Sequence, residues 1–139
     1  MGNQSSAISR QDPESINLSN YNLTSFPSNL AISDLTKHLF LPGNRLKNLP
    51  RHLKECLSVD LSNNQYGPDI PDDIAKSLST YSQLFRLYFS RNQLTKLNNH
   101  LTNQKIQALT LSQNRFIYLP PSLSTNFESL TRLYLDANF

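Results

Sequence analysis

Residues 109–116 read Leu109-Thr110-Leu111-Ser112-Gln113-Asn114-Arg115-Phe116, and this frame decides the fold because it returns along the chain. Upstream stand Leu39-Phe40-Leu41-Pro42-Gly43-Asn44-Arg45-Leu46, Val59-Asp60-Leu61-Ser62-Asn63-Asn64-Gln65-Tyr66 and Leu87-Tyr88-Phe89-Ser90-Arg91-Asn92-Gln93-Leu94. Downstream stands Leu133-Tyr134-Leu135-Asp136-Ala137-Asn138, cut short at Phe139. A sixth copy opens the array at Ile16-Asn17-Leu18-Ser19-Asn20-Tyr21-Asn22-Leu23, with Tyr21 where the others carry Asn. The marker position falls at 21, 44, 64, 92, 114 and 138, so the spacings are 23, 20, 28, 22 and 24. A second signature follows each complete copy: Phe26-Pro27, Leu49-Pro50, Ile70-Pro71, Leu97-Asn98 and Leu119-Pro120.

The apolar alternation within each copy is a period-2 strand signal, with both leucine positions on one face. One such unit cannot bury its apolar face alone, whereas stacked units share a continuous interior and their strands form a parallel sheet. Each leucine buried is worth about 1.5–3 kcal/mol of transfer free energy, and the chain has 24 of them. The recurrent Asn has a separate task. The chain must turn after each strand inside a packed coil, and an amide side chain donates and accepts toward the backbone groups left unpaired there. Asn44, Asn64, Asn92, Asn114 and Asn138 are therefore expected to form a ladder. Tyr21 marks a modified terminal coil.

These residues resemble those of leucine-rich repeat proteins of the cytoplasmic type, with repeats of about 23 residues. The resemblance covers residues 13–139 in six repeats, the last incomplete. It implies an α/β solenoid: a horseshoe with a short-stranded parallel sheet on its concave face and a mostly irregular or 3₁₀ convex side. The 28-residue spacing marks an insertion. There Ile74, Leu78 and Tyr81 make a helical stripe, which predicts one helix over 73–82 with Asp72 as its N-cap. The remaining convex segments are long enough only for turns or short 3₁₀ pieces. Cys56 stands where other copies have Leu84, Ile106 or Leu130, so it is expected to be a buried apolar residue.

Composition narrows the function. Thirteen basic residues against ten acidic ones give a net charge of +3, and the basic residues are spread singly. Nucleic acid is therefore not an expected partner. A single Cys excludes an internal disulfide framework and favours a reducing compartment. There is no secretory signal and no membrane-spanning apolar run. Cytoplasmic localisation is the expectation. No Gly-rich phosphate loop, nucleophile motif, paired acids or metal set is legible, and His38, His52 and His100 are scattered. The segment is read as non-enzymatic, without cofactor or metal.

What remains is the sheet face that packing does not need. The resemblance implies that this concave face binds a protein partner, and the residues placed there are His38, Phe40, Asp60, Arg86, Tyr88, Arg91, Thr110, Arg132, Tyr134 and Asp136. Tyr and Arg are enriched at binding hot spots. The function expected is a protein–protein interaction scaffold, the N-terminal recognition part of a longer signalling protein. Two alternatives stay open: the regulatory or targeting domain of a membrane-associated enzyme, such as a PP2C-type phosphatase or a kinase, and an extracellular adhesin-like array. The uncapped last coil leaves an edge open to self-association or to more chain. Finally, Met1-Gly2-Asn3-Gln4-Ser5-Ser6 matches the N-myristoylation pattern, with Gly2 as the acceptor. Residues 1–12 read as a flexible arm between that lipid and the first coil. One acyl chain gives only weak, reversible membrane association.

Overall fold

The structure, a computed structural model, describes residues 14–30 and 32–139. Gly2 and the arm over 1–12 lie outside them. Six strands of three residues each occur in chain order: β1 (Ser15–Asn17), β2 (His38–Phe40), β3 (Ser58–Asp60), β4 (Arg86–Tyr88), β5 (Ala108–Thr110) and β6 (Arg132–Tyr134). They pair in that order as one open parallel sheet, each strand beside its sequence neighbour. Register is that of the repeat: Leu39 faces Val59, Val59 faces Leu87, Leu87 faces Leu109 and Leu109 faces Leu133. This is the leucine-rich repeat solenoid that the recurring frame predicts.

The middle residue of each strand and the second leucine position after it point into the shared interior. Leu39, Leu41, Val59, Leu61, Leu87, Phe89, Leu109 and Leu111 are all fully buried, and Leu133 and Leu135 in the last coil are half-buried. Each strand is too short to stand alone, so its stability comes from the coils on either side.

Every coil turns in the same way. The residue before the marker takes the left-handed backbone conformation: Asn20, Gly43, Asn63, Arg91, Gln113 and Ala137 all have φ between 52° and 74°. At five of these turns the N–H carries the sheet's hydrogen bonding past the strand, with Asn20 donating to Pro42, Gly43 to Ser62, Asn63 to Ser90, Arg91 to Ser112 and Gln113 to Asp136. At Gly43 a Cβ would stand 1.9 Å from Oδ1 of Asn20, so there the glycine is required by close approach as well as by φ.

The asparagines that follow these turns bridge coils. Asn114 Nδ2 donates to the carbonyl of Phe89 in the preceding coil at 2.9 Å and to that of Leu111 in its own at 3.0 Å, while its Oδ1 accepts from the Leu94 N–H at 3.0 Å. Asn44, Asn64, Asn92 and Asn138 repeat this arrangement. Each reaches back one coil. Among the described residues no coil precedes the first, so Tyr21 has no such bond to make and packs, half-buried, against the core.

The convex side corrects two expectations. The inserted helix, α1, runs Asp72–Thr80 rather than 73–82, and Pro71, not Asp72, occupies its N-cap position. The Pro71 carbonyl accepts the first helical N–H, from Ala75. Asp72 is already helical and carries no capping bond. The helix stops at Thr80 because Tyr81 turns extended and drives its ring into the core, where its hydroxyl donates to the Pro50 carbonyl. Burial pushes that phenol's pKa upward. A second, one-turn helix, α2 (Leu123–Asn126), stands where only a turn or 3₁₀ piece was expected. The fold has room for it because Leu123 and Phe127 supply apolar anchors at both ends of that turn.

Candidate functional site on the inner sheet face

The first and third residues of each strand flank the buried middle one, so they project from the sheet away from the core. Two rows result. One row runs Ser15, His38, Ser58, Arg86, Ala108, Arg132; the other runs Asn17, Phe40, Asp60, Tyr88, Thr110, Tyr134. Phe40 is 39% exposed, and Tyr134, on the edge strand β6, is 47% exposed.

Two adjoining depressions shape this face. The first holds about 470 Å³ and is lined by His38, Phe40, Leu57, Ser58, Asp60, Phe85, Arg86 and Tyr88. The second holds about 330 Å³ and is lined by Arg86, Tyr88, Ala108, Thr110, Ser112, Arg132 and Tyr134. Arg86 and Tyr88 form the ridge that both share. Several side chains are held in place. The His38 ring stacks on Phe40 with centroids 6.2 Å apart, and its Nδ1 is 2.7 Å from the Ser58 hydroxyl. The Arg86 guanidinium lies 5.2 Å from the centroid of the Phe85 ring, a cation–π contact that braces it on the ridge. Asp60 accepts from the Ser62 N–H at 2.9 Å.

Eight of the ten sequence-assigned face residues line one depression or both. Arg91 does not, because it is the left-handed turn residue of its coil and lies past the end of the strand. Asp136 lies at the corresponding end of the last strand and accepts from the Ser112 hydroxyl. Sequence reasoning missed Leu57 and Phe85, 38% and 37% exposed, which give the first depression much of its apolar wall. They sit one residue before their strands, in a column otherwise filled by Glu14, Lys37, Gln107 and Thr131. Two apolar residues side by side in that polar column were the available signal.

Elsewhere the chemistry is quiet. Cys56 is fully buried, its thiol donates weakly to the Ser58 carbonyl at 3.5 Å, and burial raises its pKa to about 12. Thiolate is therefore scarce at neutral pH and the residue is inert packing. Among the described residues no three His, Cys, Asp or Glu side chains group as metal ligands. No helix of the described residues is long and apolar enough to cross a membrane.

Comparison with solved structures places the architecture. A leucine-rich repeat protein of Leptospira interrogans superposes with TM-score 0.75 at 22% identity, over 96% of this chain and 34% of its own. The leucine-rich repeat domain of a Shigella effector superposes with TM-score 0.62 at 22% identity, over 91% of this chain and 50% of its own. A chain of the Drosophila Toll–Spatzle complex gives 0.60 at 22% identity, over 90% of this chain and 20% of its own. No family model matches the chain. The fold is thus that of the leucine-rich repeat proteins, and the chain spans half or less of the length of these three neighbours.

Proposed function

We propose that this chain is a recognition module that grips a partner protein on the inner face of its sheet. The observation that carries this reading is the row Phe40, Tyr88 and Tyr134. Phe40 and Tyr134 stand in solvent and Tyr88 is half-buried on the same face, beside Arg86 and Arg132. Aromatic and Arg side chains dominate the energetics of protein interfaces, and a curved solenoid sheet offers them on one continuous surface. The Toll–Spatzle complex is an instance of this fold in a protein–protein assembly. Recognition, not turnover, is the task these groups suit.

The test compares partner recovery by the wild-type chain, by a Tyr88→Ala/Tyr134→Ala variant and by a convex control, Arg51→Ala/Lys54→Ala. Proteins retained by wild type and control should be lost from the tyrosine variant. Equal recovery by all three would overturn the reading.

A finer reading makes the module part of a cytoplasmic signalling protein with reversible membrane contact through acylated Gly2. It rests on Met1-Gly2-Asn3-Gln4-Ser5-Ser6 alone. Metabolic labelling with a myristate analogue decides it, since a label that persists in Gly2→Ala, or no label in wild type, removes the lipid.

A further inference from the structure

The two depressions differ in chemistry, and the difference describes a partner. The first, centred on β3, has apolar walls from Phe40, Leu57, Phe85 and Tyr88. The second, centred on β5, is a cup. Its floor is Ala108 and Thr110, small side chains set between larger ones on β4 and β6. Register places Arg86 and Arg132 on either side of Ala108, and Tyr88 and Tyr134 on either side of Thr110. Two strand spacings, about 10 Å, separate the flanking backbones, and an arginine is long enough to lean over the gap from each side.

Neither arginine makes an ion pair among the described residues, and Arg86 is braced over the Phe85 ring. Among the described residues the ion pair present is Lys37 with Glu14, far from the cup. The nearest acids flank the cup: Asp60, paired with Tyr88 and diagonal to Arg86, and Asp136, which accepts from the Ser112 hydroxyl on the cup's lining. The arginine end of the cup therefore holds two cations with no acid in ion-pair contact with either, and Tyr88 and Tyr134 line the same cup.

We infer that the cup over Ala108 receives a phosphoryl group borne by the partner protein, while the first depression receives a bulky apolar side chain about 10 Å away. A carboxylate is satisfied by one guanidinium fork. Two guanidinium side chains flanking one small floor residue match a group with three acceptor oxygens and close to two negative charges. The inference rests on the inner face being the docking surface, and the experiment separates the two claims.

The probes are N-acetyl-phosphoserine amide and N-acetyl-glutamate amide, titrated to about 10 mM into the isotope-labelled chain while amide resonances are followed. The phosphoserine probe should move Ala108, Arg86 and Arg132 saturably, bind about tenfold tighter than glutamate, and lose about tenfold in Arg86→Gln/Arg132→Gln. Both arginines are exposed, so the variant's other resonances should stay in place and report an intact fold. An oriented peptide library with fixed phosphoserine should then select a bulky apolar residue at one flanking position, and Phe85→Ala should abolish that selection. Equal affinity for the two probes would overturn the phosphoryl assignment and leave an acidic-residue site. No saturable shift at Ala108 would overturn the cup as an anion site, with the docking face still judged by the Tyr88/Tyr134 variant. A library without apolar selection would overturn the two-point partner.

Discussion

Asn92 and Asn98 are six residues apart in one coil, both buried, and they do the same chemistry for opposite reasons. Asn92 belongs to the repeat. Its Nδ2 donates to the carbonyls of Leu61 and Phe89, and its Oδ1 accepts from the N–H groups of Asn64 and Tyr66. Asn98 belongs to the exception. It stands where other coils carry Pro, and its Nδ2 donates to the Ile70 carbonyl at 3.0 Å and to Asp72 Oδ1 at 2.8 Å, at the start of α1. Five residues on, Asn103 Nδ2 donates to the carbonyls of Leu78 and Tyr81 at 3.0 Å each, at the helix's other end. The coil after the insertion thus clamps the inserted helix at both ends. One amide solution serves the periodic inner turn and the aperiodic outer one. As a result no buried side-chain nitrogen or oxygen among the described residues lacks a partner.

The comparison is broken most severely at Asn92. Its Oδ1 takes two backbone N–H groups, whereas those of Asn44, Asn64, Asn114 and Asn138 each take one. The carbonyls it serves are shared with Asn64 and Asn114, so they keep a donor when it is removed. The two N–H groups do not. At about 1–3 kcal/mol for each buried group left unpaired, Asn92→Ala should cost about 3–4 kcal/mol and Asn64→Ala about 2. Urea unfolding measures both, and equal losses would show that the second N–H is satisfied without Asn92. Next comes the clamp. Asn103→Ala takes one of two donors from each of the Leu78 and Tyr81 carbonyls, which keep the Tyr81 and Leu84 N–H groups, and should cost about 1 kcal/mol, with faster hydrogen exchange confined to 72–81. If exchange rose throughout the sheet instead, α1 would be part of the cooperative stack and not an attachment to it.

Much of this was legible because periodicity repeats its evidence. Strand positions, register and the amide column each recur in every copy, so a departure such as Tyr21 hardly weakens them. The left-handed turn residue was not legible. It is Asn20, Gly43, Asn63, Arg91, Gln113 or Ala137 in turn; backbone geometry dictates the position, and except at Gly43, where Asn20 leaves no room for a Cβ, the residue is exposed and its identity varies. Asn98 and Asn103 were invisible for the opposite reason, since each occurs once and its partner lies in an inserted helix with no counterpart in other coils. Helix limits slipped by one or two residues because Pro71 and Tyr81, rather than Asp72 and Ser82, end the turns. On the inner face the two rows were readable from alternation. Leu57 and Phe85 were harder to read, because an apolar residue just outside a three-residue strand looks the same whether it faces the core or the groove until it is set against the polar column it interrupts.

The smallest effect separates the two asparagines by pH. The Asn98 amide donates to Asp72 and holds that carboxyl below its ordinary value of 3.8, with His100 and Lys76 adding weaker attraction. A carboxyl whose folded pKa is lowered contributes stability above its unfolded pKa, and that contribution is lost as pH falls through the folded value. Asp72→Asn keeps an oxygen for Asn98 to bond but removes the charge. Wild type should therefore melt slightly higher than Asp72→Asn at pH 7, and the gap should close on acidification beneath the ordinary carboxylate range. The ladder has no titrating member, so the cost of Asn92→Ala should not follow that course through Asp72. In the double variant Asp72→Asn/Asn92→Ala the pH-dependent part should vanish while the large loss remains. If the gap between wild type and Asp72→Asn instead persists undiminished into acid, the carboxylate's charge is not what Asn98 recognises, and the outer clamp is as neutral as the inner ladder.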